Sequence, residues 1–374
     1  LGPGRLLVVG NPFFLARHRP LTLALGRRLA SVREVAIEED SRAREAAYLA
    51  RAFVTARLWP PTLEALRAAR GRFRKDPATF ARISRRAART IAKSPDRDLV
   101  LQYFSMSSPA TEASPAEYAI YTDLTMAQAR RSWPPWAPFD SERGYAAWTA
   151  LESRTYRDAV RVFTFSEATR RSVIADYGAD PARVVTVGAA GNYDEPSGAE
   201  RTYGNRTLVF NGSEFERKGG DRTLAAFRLV RARFPDARLT IVANSRLADE
   251  PGLRVAGRLG RAELFALFDA TDVVLAPTRF DGFPGFVLEA MSRGVAAVLS
   301  DAEPMNEIVA DGRDGYVVSP PTPERLAERV IALFENEALL REIGTAGRER
   351  VSRDWNWDAV AARMLDSLAD DALP

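Results

Sequence analysis

Short β-branched runs alternate with amphipathic helical stretches along most of the chain, and no other feature restricts its fold as much. Strands are expected at Leu6–Gly10, Val35–Glu38, Leu99–Tyr103, Ala119–Thr122, Val160–Thr164 and Val184–Val187. The second half repeats the pattern at Thr207–Asn211, Ala237–Val242, Leu253–Val255, Val273–Ala276 and Ala296–Leu299. Helical patterns such as Arg222–Phe234, Arg261–Asp269 and Pro323–Glu335 lie between these runs. Strands joined through helices run parallel, because a tight turn cannot connect a parallel pair. The expected fold class is therefore α/β, with doubly wound sheets covered by helices on both faces.

A chain of 374 residues is long for a single core. The alternation pauses once, over Gly188–Gly204, where Gly, Pro and Ser occur without periodicity. This stretch is the expected linker. It separates two Rossmann-like halves, residues 1–195 and 205–350, and leaves 351–374 as a closing helical segment. Ligands of such sheets bind at the carboxyl ends of the strands, so a central cleft faced by both halves is the expected site.

Composition removes several kinds of chemistry. There is no cysteine, so disulfides and thiolate metal sites are excluded. His18 is the only histidine. It follows the loop after the first strand, where contact with an acceptor is one reading and a surface or structural place is the expected one. Asp96-Arg97-Asp98 has the Asp-x-Asp form of a metal motif, but it precedes the strand Leu99–Tyr103 and so falls at the wrong end of the sheet. No run reaches the roughly 18 apolar residues of a membrane-spanning helix. No signal-peptide pattern precedes Leu6–Gly10, and a cytoplasmic location is expected.

Charge is unevenly distributed. Residues 51–93 hold twelve basic residues against two acids, Glu64 and Asp76. Arg82, Arg85, Arg86, Arg89 and Lys93 recur at helical spacing, with Phe80, Ile83, Ala87 and Ile91 on the other side. Such a helix suits the anionic inner face of a cell membrane, where the protein would be peripheral. The plainer expectation is that the apolar stripe packs on the core. No stacking platform or reading motif for nucleic acid accompanies the charge. Arg130–Phe139, with Trp133 and Trp136, is expected to pack locally, a lipid interface or acceptor groove being the other reading.

Two segments carry the chemistry. Pro277–Gly294 runs from the strand Val273–Ala276 through a Gly- and Pro-containing turn into a helix starting near Gly285. A strand, turn and helix in this order aim backbone N–H groups and a positive helix end at one spot, a site for a diphosphate. Asp281 precedes the helix and Glu289 lies one turn inside it. The spacing puts the two carboxylates on different sides of the turn, so no metal site is expected. Phe210–Asp221 follows the strand Thr207–Asn211 and presents Arg217 and Lys218 beside Gly219-Gly220. These cations suit the charge that develops on a departing nucleoside diphosphate. Taken singly, each segment also reads as an ordinary capped helix or a solvated basic turn.

Together they resemble the retaining GT-B glycosyltransferases of family 4, also called glycosyl transferases group 1. The Glu-Arg-Lys-Gly-Gly core of Phe210–Asp221 is similar to that family's donor-binding turn. Asp281–Glu289 is similar to its acidic–seven residues–Glu motif. Gly294, Ser300-Asp301 and Glu307-Ile308-Val309 with Gly312 and Gly315 continue the likeness, which covers about 205–360.

The resemblance implies a metal-independent transferase without cofactor that uses a nucleotide-sugar donor, most simply a UDP- or GDP-sugar. Residues 1–195 would bind a glycan or lipid-linked acceptor, 205–350 the donor, and 351–374 would pack back on the first half. Lys218 and Arg217 would contact the diphosphate and Asp281 the hydroxyls of the transferred hexose. Glu289 would bind the ribose. Gly212 and the backbone of Gly282, Phe283, Pro284, Gly285, Phe286 and Val287 would hold phosphate and sugar oxygens. Gly10 and Asn11 would form the loop after the first strand, and Asp123 would lie near the reacting carbon. The sequence departs from the family where Asp281 replaces the commoner Glu and where Ser213 follows Gly212 in place of Arg. A nucleotide-sugar epimerase on the same fold and a non-catalytic nucleotide-sugar-binding protein are the alternatives.

Overall fold

The computed structural model describes residues 4–38, 42–56, 62–193, 201–244 and 247–369. The chain divides into two units. Unit 1 is Leu1–Gly188 with Ala361–Pro374, and unit 2 is Ala189–Val360. The division falls at the start of the expected linker, of which residues 194–200 lie outside the described residues.

Unit 1 contains strands β1 (Arg5–Gly10), β2 (Ser31–Ala36), β3 (Leu99–Tyr103), β4 (Tyr118–Thr122), β5 (Arg161–Thr164) and β6 (Val184–Thr186). They form one parallel sheet in the order β2-β1-β3-β4-β5-β6. The inner strands are buried along their length, as strands covered on both faces must be. The edge strand β2 begins four residues before the expected Val35. Its Ser-Val-Arg-Glu-Val sequence is largely exposed, so charged residues hide it from a hydrophobicity pattern.

The apolar stripe of the basic helix Pro77–Ala92 goes into this core. Phe80, Ala87 and Ile91 are buried and Ile83 packs beside them. Arg85, Arg89 and Lys93 remain exposed, while Arg86 donates to the Glu38 carbonyl at 2.9 Å. Residues 57–61 of the wider basic stretch lie outside the described residues.

Asp98 pairs with both the backbone N–H and the guanidinium of Arg5, at 2.7 and 2.8 Å, and so ties β3 to β1 at their amino ends. Among the described residues no group of three metal-ligating side chains occurs. The cations near Trp133 are engaged locally. Arg131 makes two 2.9 Å bonds to Asp176, and Arg130 lies 4.0 Å over the Tyr145 ring. His18 is buried, only 3% exposed, among Tyr103, Phe104, Tyr121 and Phe165. Burial pulls its pKa down to about 4. The C-terminal segment is bound into this unit: Arg161 donates to the Ser367 carbonyl and Arg363 to the Val187 carbonyl.

Unit 2 contains β7 (Thr207–Asn211), β8 (Arg238–Val242), β9 (Leu253–Val255), β10 (Val273–Ala276), β11 (Ala296–Ser300) and β12 (Tyr316–Val318). The parallel order is β12-β11-β10-β7-β8-β9. β12 was not expected from the sequence, since three residues at a sheet edge carry too little pattern. Side-chain alternation splits the core between two faces. Leu208, Phe210, Leu239, Ile241, Val273 and Leu275 meet the helices Gly220–Arg233 and Pro323–Glu335. Val209, Val274, Ala297 and Leu299 meet Phe268 and the helix Gly285–Ser292. Among the described residues no helix is long and apolar enough to cross a membrane.

Candidate active site

The order of the unit 2 sheet reverses between β7 and β10. From β7 the chain builds outward through β8 and β9, then returns to the other side of β7 with β10. At such a reversal the two following loops diverge and leave a crevice at the carboxyl ends of the strands. Both chemistry-bearing segments begin there, one after β7 and the other after β10.

Each segment is shaped by packing. Gly212 approaches β8 so closely that a Cβ would lie 2.5 Å from Ile241 Cγ2. Asn211 turns the chain by accepting from the Ser213 N–H at 3.1 Å and from the Ser213 hydroxyl at 2.6 Å. Gly219 has φ +79°, and a Cβ there would stand 2.1 Å from the Pro277 carbonyl oxygen. Only glycine allows the first turn to press against the second at this point. The two turns are then stitched together. The Arg279 N–H donates to the Arg217 carbonyl at 2.8 Å. The Arg279 guanidinium forks onto Asp221 at 2.8 and 2.6 Å. Thr278 and Ser300 hydroxyls donate to the carbonyls of Arg217 and Thr278, at 3.3 and 2.7 Å.

Asp281 sits at the centre. Lys218 Nζ donates to its Oδ2, Arg217 Nη1 lies 3.4 Å from its Oδ1, and its own next residue, Gly282, donates an N–H to Oδ1 at 3.0 Å. Asp281 is 7% exposed and Arg217 3%. Arg217 is held from the other side by Glu214, at 3.0 and 2.9 Å, and by the Phe280 carbonyl at 2.6 Å. Buried charge is tolerated here because every member has a charged or carbonyl partner. Of the two cations, Lys218 lines the adjoining pocket, an opening of about 300 Å³ including its mouth. Phe210, Asn211, Asp281, Pro284, Phe286, Val287 and Met305 complete much of its wall.

The helix Gly285–Ser292 starts at this pocket. Its N-cap is Pro284, whose side chain gives no capping hydrogen bond. In the first turn the Gly285 N–H donates to the Phe283 carbonyl at 3.0 Å and the Val287 N–H to the Pro284 carbonyl at 2.9 Å, so what the helix start offers the pocket is its positive dipole end, with no side-chain oxygen capping it. Glu289, one turn further in, accepts the Asn192 N–H at 2.9 Å. Burial and the Glu289 charge push the Tyr193 phenol upward, and its hydroxyl donates to the Trp355 carbonyl.

The structure thus gathers Arg217, Lys218, Asp281 and Gly282 into one network, with Pro284, Phe286 and Val287 lining the pocket beside it, while Gly212 packs on β8, Phe283 lies against Trp355 and Glu289 holds the Asn192 N–H. Gly10, Asn11 and Asp123 belong to unit 1. There Asn11 caps the helix Pro12–Arg17 by accepting the Phe13 N–H at 2.8 Å. Asp123 follows β4, and its carbonyl accepts the Thr169 hydroxyl at 2.6 Å. Sequence reasoning missed Arg279, Asp221, Asn211 and Met305. Arg279-to-Asp221 spans 58 residues, and no local pattern signals such a pairing.

The two sheets and their connections define a GT-B protein. The sucrose-phosphate synthase of Thermosynechococcus elongatus superposes with a TM-score of 0.69 at 14% identity, over 99% of each chain. Anabaena HepE, in a crystal structure with UDP and glucose, gives 0.66 at 12% identity, covering 98% of this chain and 99% of that one. Residues 205–336 match the family model described as glycosyl transferases group 1. The phosphatidyl-myo-inositol mannosyltransferase of Mycobacterium tuberculosis H37Rv is 32% identical over 174 residues, 43% of this chain. That match spans about half, 46%, of the relative's length.

Proposed function

We propose that the protein is a retaining hexosyltransferase that moves a sugar from a nucleotide-sugar donor to a hydroxyl of a glycan or lipid-linked acceptor, without a metal ion. The observation that carries this reading is the joining of Lys218, Asp281 and an uncapped helix start at the topological switch of unit 2. A UDP- or GDP-sugar fits it. Lys218 meets the diphosphate directly, and Arg217 adds charge while holding Asp281 in place. Asp281 accepts hydrogen bonds from hexose hydroxyls once Lys218 turns to the phosphate. Glu289 takes the ribose, and the backbone from Gly282 to Val287, with Gly212, holds phosphate and sugar oxygens. Gly10, Asn11 and Asp123 serve the reacting end of the donor and the acceptor.

In the reaction the bond from the anomeric carbon to the diphosphate breaks. The acceptor oxygen bonds to the same face of that carbon, and its proton passes to a departing phosphate oxygen. Lys218 and the helix start stabilise the leaving charge, so no protein nucleophile and no metal is required. The HepE complex with UDP and the mannosyltransferase relative support donor and acceptor of these kinds. A peripheral position on the inner membrane face is part of the proposal. Because the stripe of Pro77–Ala92 is already buried, contact would be electrostatic, through Arg85, Arg89 and Lys93.

The test is product formation. UDP- and GDP-hexoses are incubated with candidate acceptors, with and without a chelator, and product and free nucleotide are quantified. Transfer with retained anomeric configuration, unaffected by chelator, is expected. Donor consumption without an acceptor would indicate an epimerase, and donor binding without turnover a non-catalytic protein. Vesicles of anionic lipid should bind the chain and release it as salt rises; binding that persists in high salt would rule out this mode of attachment.

A further inference from the structure

Unit 1 holds a cation that the site in unit 2 does not use. Lysine occurs at only three positions in this arginine-rich chain, Lys75, Lys93 and Lys218. Lys75 closes the helix Leu63–Arg74 as its C-cap. Its ammonium lies 3.2 Å from the Met106 sulfur and 5.4 Å from the centre of the Trp148 ring. Among the described residues no carboxylate forms an ion pair with it. Glu152 and Asp123 are within electrostatic reach, and Arg74 next to it is exposed.

Neither carboxylate is in ion-pair contact with it. Glu152 is fully buried, and its Oε1 accepts the Ser105 and Tyr156 hydroxyls at 2.7 and 3.2 Å. Its Oε2 has no partner, and burial pushes its pKa up, away from the charged form. Asp123 stands at the carboxyl end of β4, and Met106 follows β3 by three residues. Lys75 is therefore at the ligand-binding edge of the unit 1 sheet. It is half-buried, not sealed. Its own pKa is drawn down to about 8 by desolvation. An ammonium held against sulfur and indole, with no carboxylate in contact with it, is poised for an anionic ligand.

We propose that Lys75 is the acceptor-recognition cation of unit 1, binding an anionic group, a phosphoryl ester or a carboxylate, on the molecule that receives the sugar. This rests on the transferase reading for the word acceptor, but the anion site itself does not. With the anion fixed by Lys75, a hydroxyl of the same molecule falls to Asp123 at the adjacent strand end.

The test uses the full chain carrying Lys218→Ala, so that the unit 2 site is not the one measured. Binding of glucose 6-phosphate, glucuronate, glucose and inorganic phosphate is followed by titration calorimetry. The anions should bind roughly tenfold or more tightly than glucose, the scale of one charged hydrogen bond. Lys75→Met should abolish that preference while leaving the melting temperature within a few degrees. In the parent the preference should fall between pH 7 and pH 9, as the Lys75 amine loses its proton. In Lys75→Arg it should persist to pH 9. Anion binding equal in the parent and Lys75→Met, or absent from both, overturns the proposal. A preference for glucose 6-phosphate over glucuronate identifies the phosphoryl ester, and the reverse the carboxylate. If the anion preference holds but no nucleotide sugar is turned over by the unaltered chain, the transferase reading fails and the anion site stands.

Discussion

Asp281 accepts from Lys218 and its own neighbouring amide and forms an ion pair with Arg217 at 3.4 Å, so the three partners lose unequally when it changes. Arg217 is buried, and removing Asp281 takes away one of its two carboxylate partners in this network, the other being Glu214. Asp281→Ala should therefore cost about 2–3 kcal/mol of stability in urea unfolding. Lys218→Ala should cost less, because the half-buried lysine leaves behind an aspartate still held by Arg217, yet it should lower turnover roughly a hundredfold. Equal stability losses in the two variants would refute this ranking. His18 sits in unit 1 and offers a pH test. Its folded pKa of about 4 lies below the unfolded value near 6.5, so the neutral ring is the folded form. Its contribution is complete above pH 6.5 and is lost as pH falls toward 4. Between pH 7 and pH 4.5 the parent should lose roughly 2–3 kcal/mol more than His18→Phe. Parallel acid profiles for the two proteins would show that the ring does not titrate in this way.

At the scale of elements, the strand–turn–helix units differ in which glycines packing demands. Gly219 is fixed by its positive φ and by the Pro277 carbonyl. Gly219→Ala should destabilise the protein by about 2 kcal/mol or more and weaken nucleotide binding along with it. Gly285 is the contrasting case. A Cβ there meets nothing within 4 Å, at the first residue of the helix that faces the pocket. Gly285→Ala should leave stability within about 0.5 kcal/mol. It should nevertheless raise the KM for donor, because the methyl enters space left for the ligand. An unchanged KM would show that the donor does not approach this helix start. The clamp between Arg279 and Asp221 belongs to the same scale, since it joins two loops that no single element would hold.

At the scale of the whole molecule, each unit has its own sheet and its own buried core. The proposed nucleotide contacts Lys218, Glu289 and the helix start all lie in unit 2. Calorimetry should therefore resolve two unfolding transitions. Adding the preferred nucleoside diphosphate at a hundred times its Kd should stabilise one of them by about 2.7 kcal/mol. A single transition that shifts as a whole would mean that the units unfold as one body. The Lys218→Ala variant should show the two transitions without the shift.

Alternation of strand and helix, the two-half organisation and the two glycine- and charge-bearing turns could be read directly from the residues. The reason is that they rest on local periodicity and on glycine and charge at fixed spacing. β3, β7 and β10 fall where the pattern puts them, because strands buried on both faces are continuous apolar runs. The start of β2 was placed too late and β12 escaped, because edge strands are exposed or short and share their pattern with loops. Asp281 and Lys218 were visible singly, but nothing in a linear order says that residues 63 apart share an ion pair. That closeness follows from the reversal of strand order between β7 and β10. The same holds for Lys75. In sequence it is one more base in a basic stretch, and only its place against Met106, Trp148 and the buried Glu152 makes it a cation with no carboxylate in contact. The sequence by itself determined the class of fold and the kinds of group available for chemistry. The tertiary structure decided which charges meet and which are left seeking a partner, because burial and long-range pairing depend on chain crossings that no local pattern encodes.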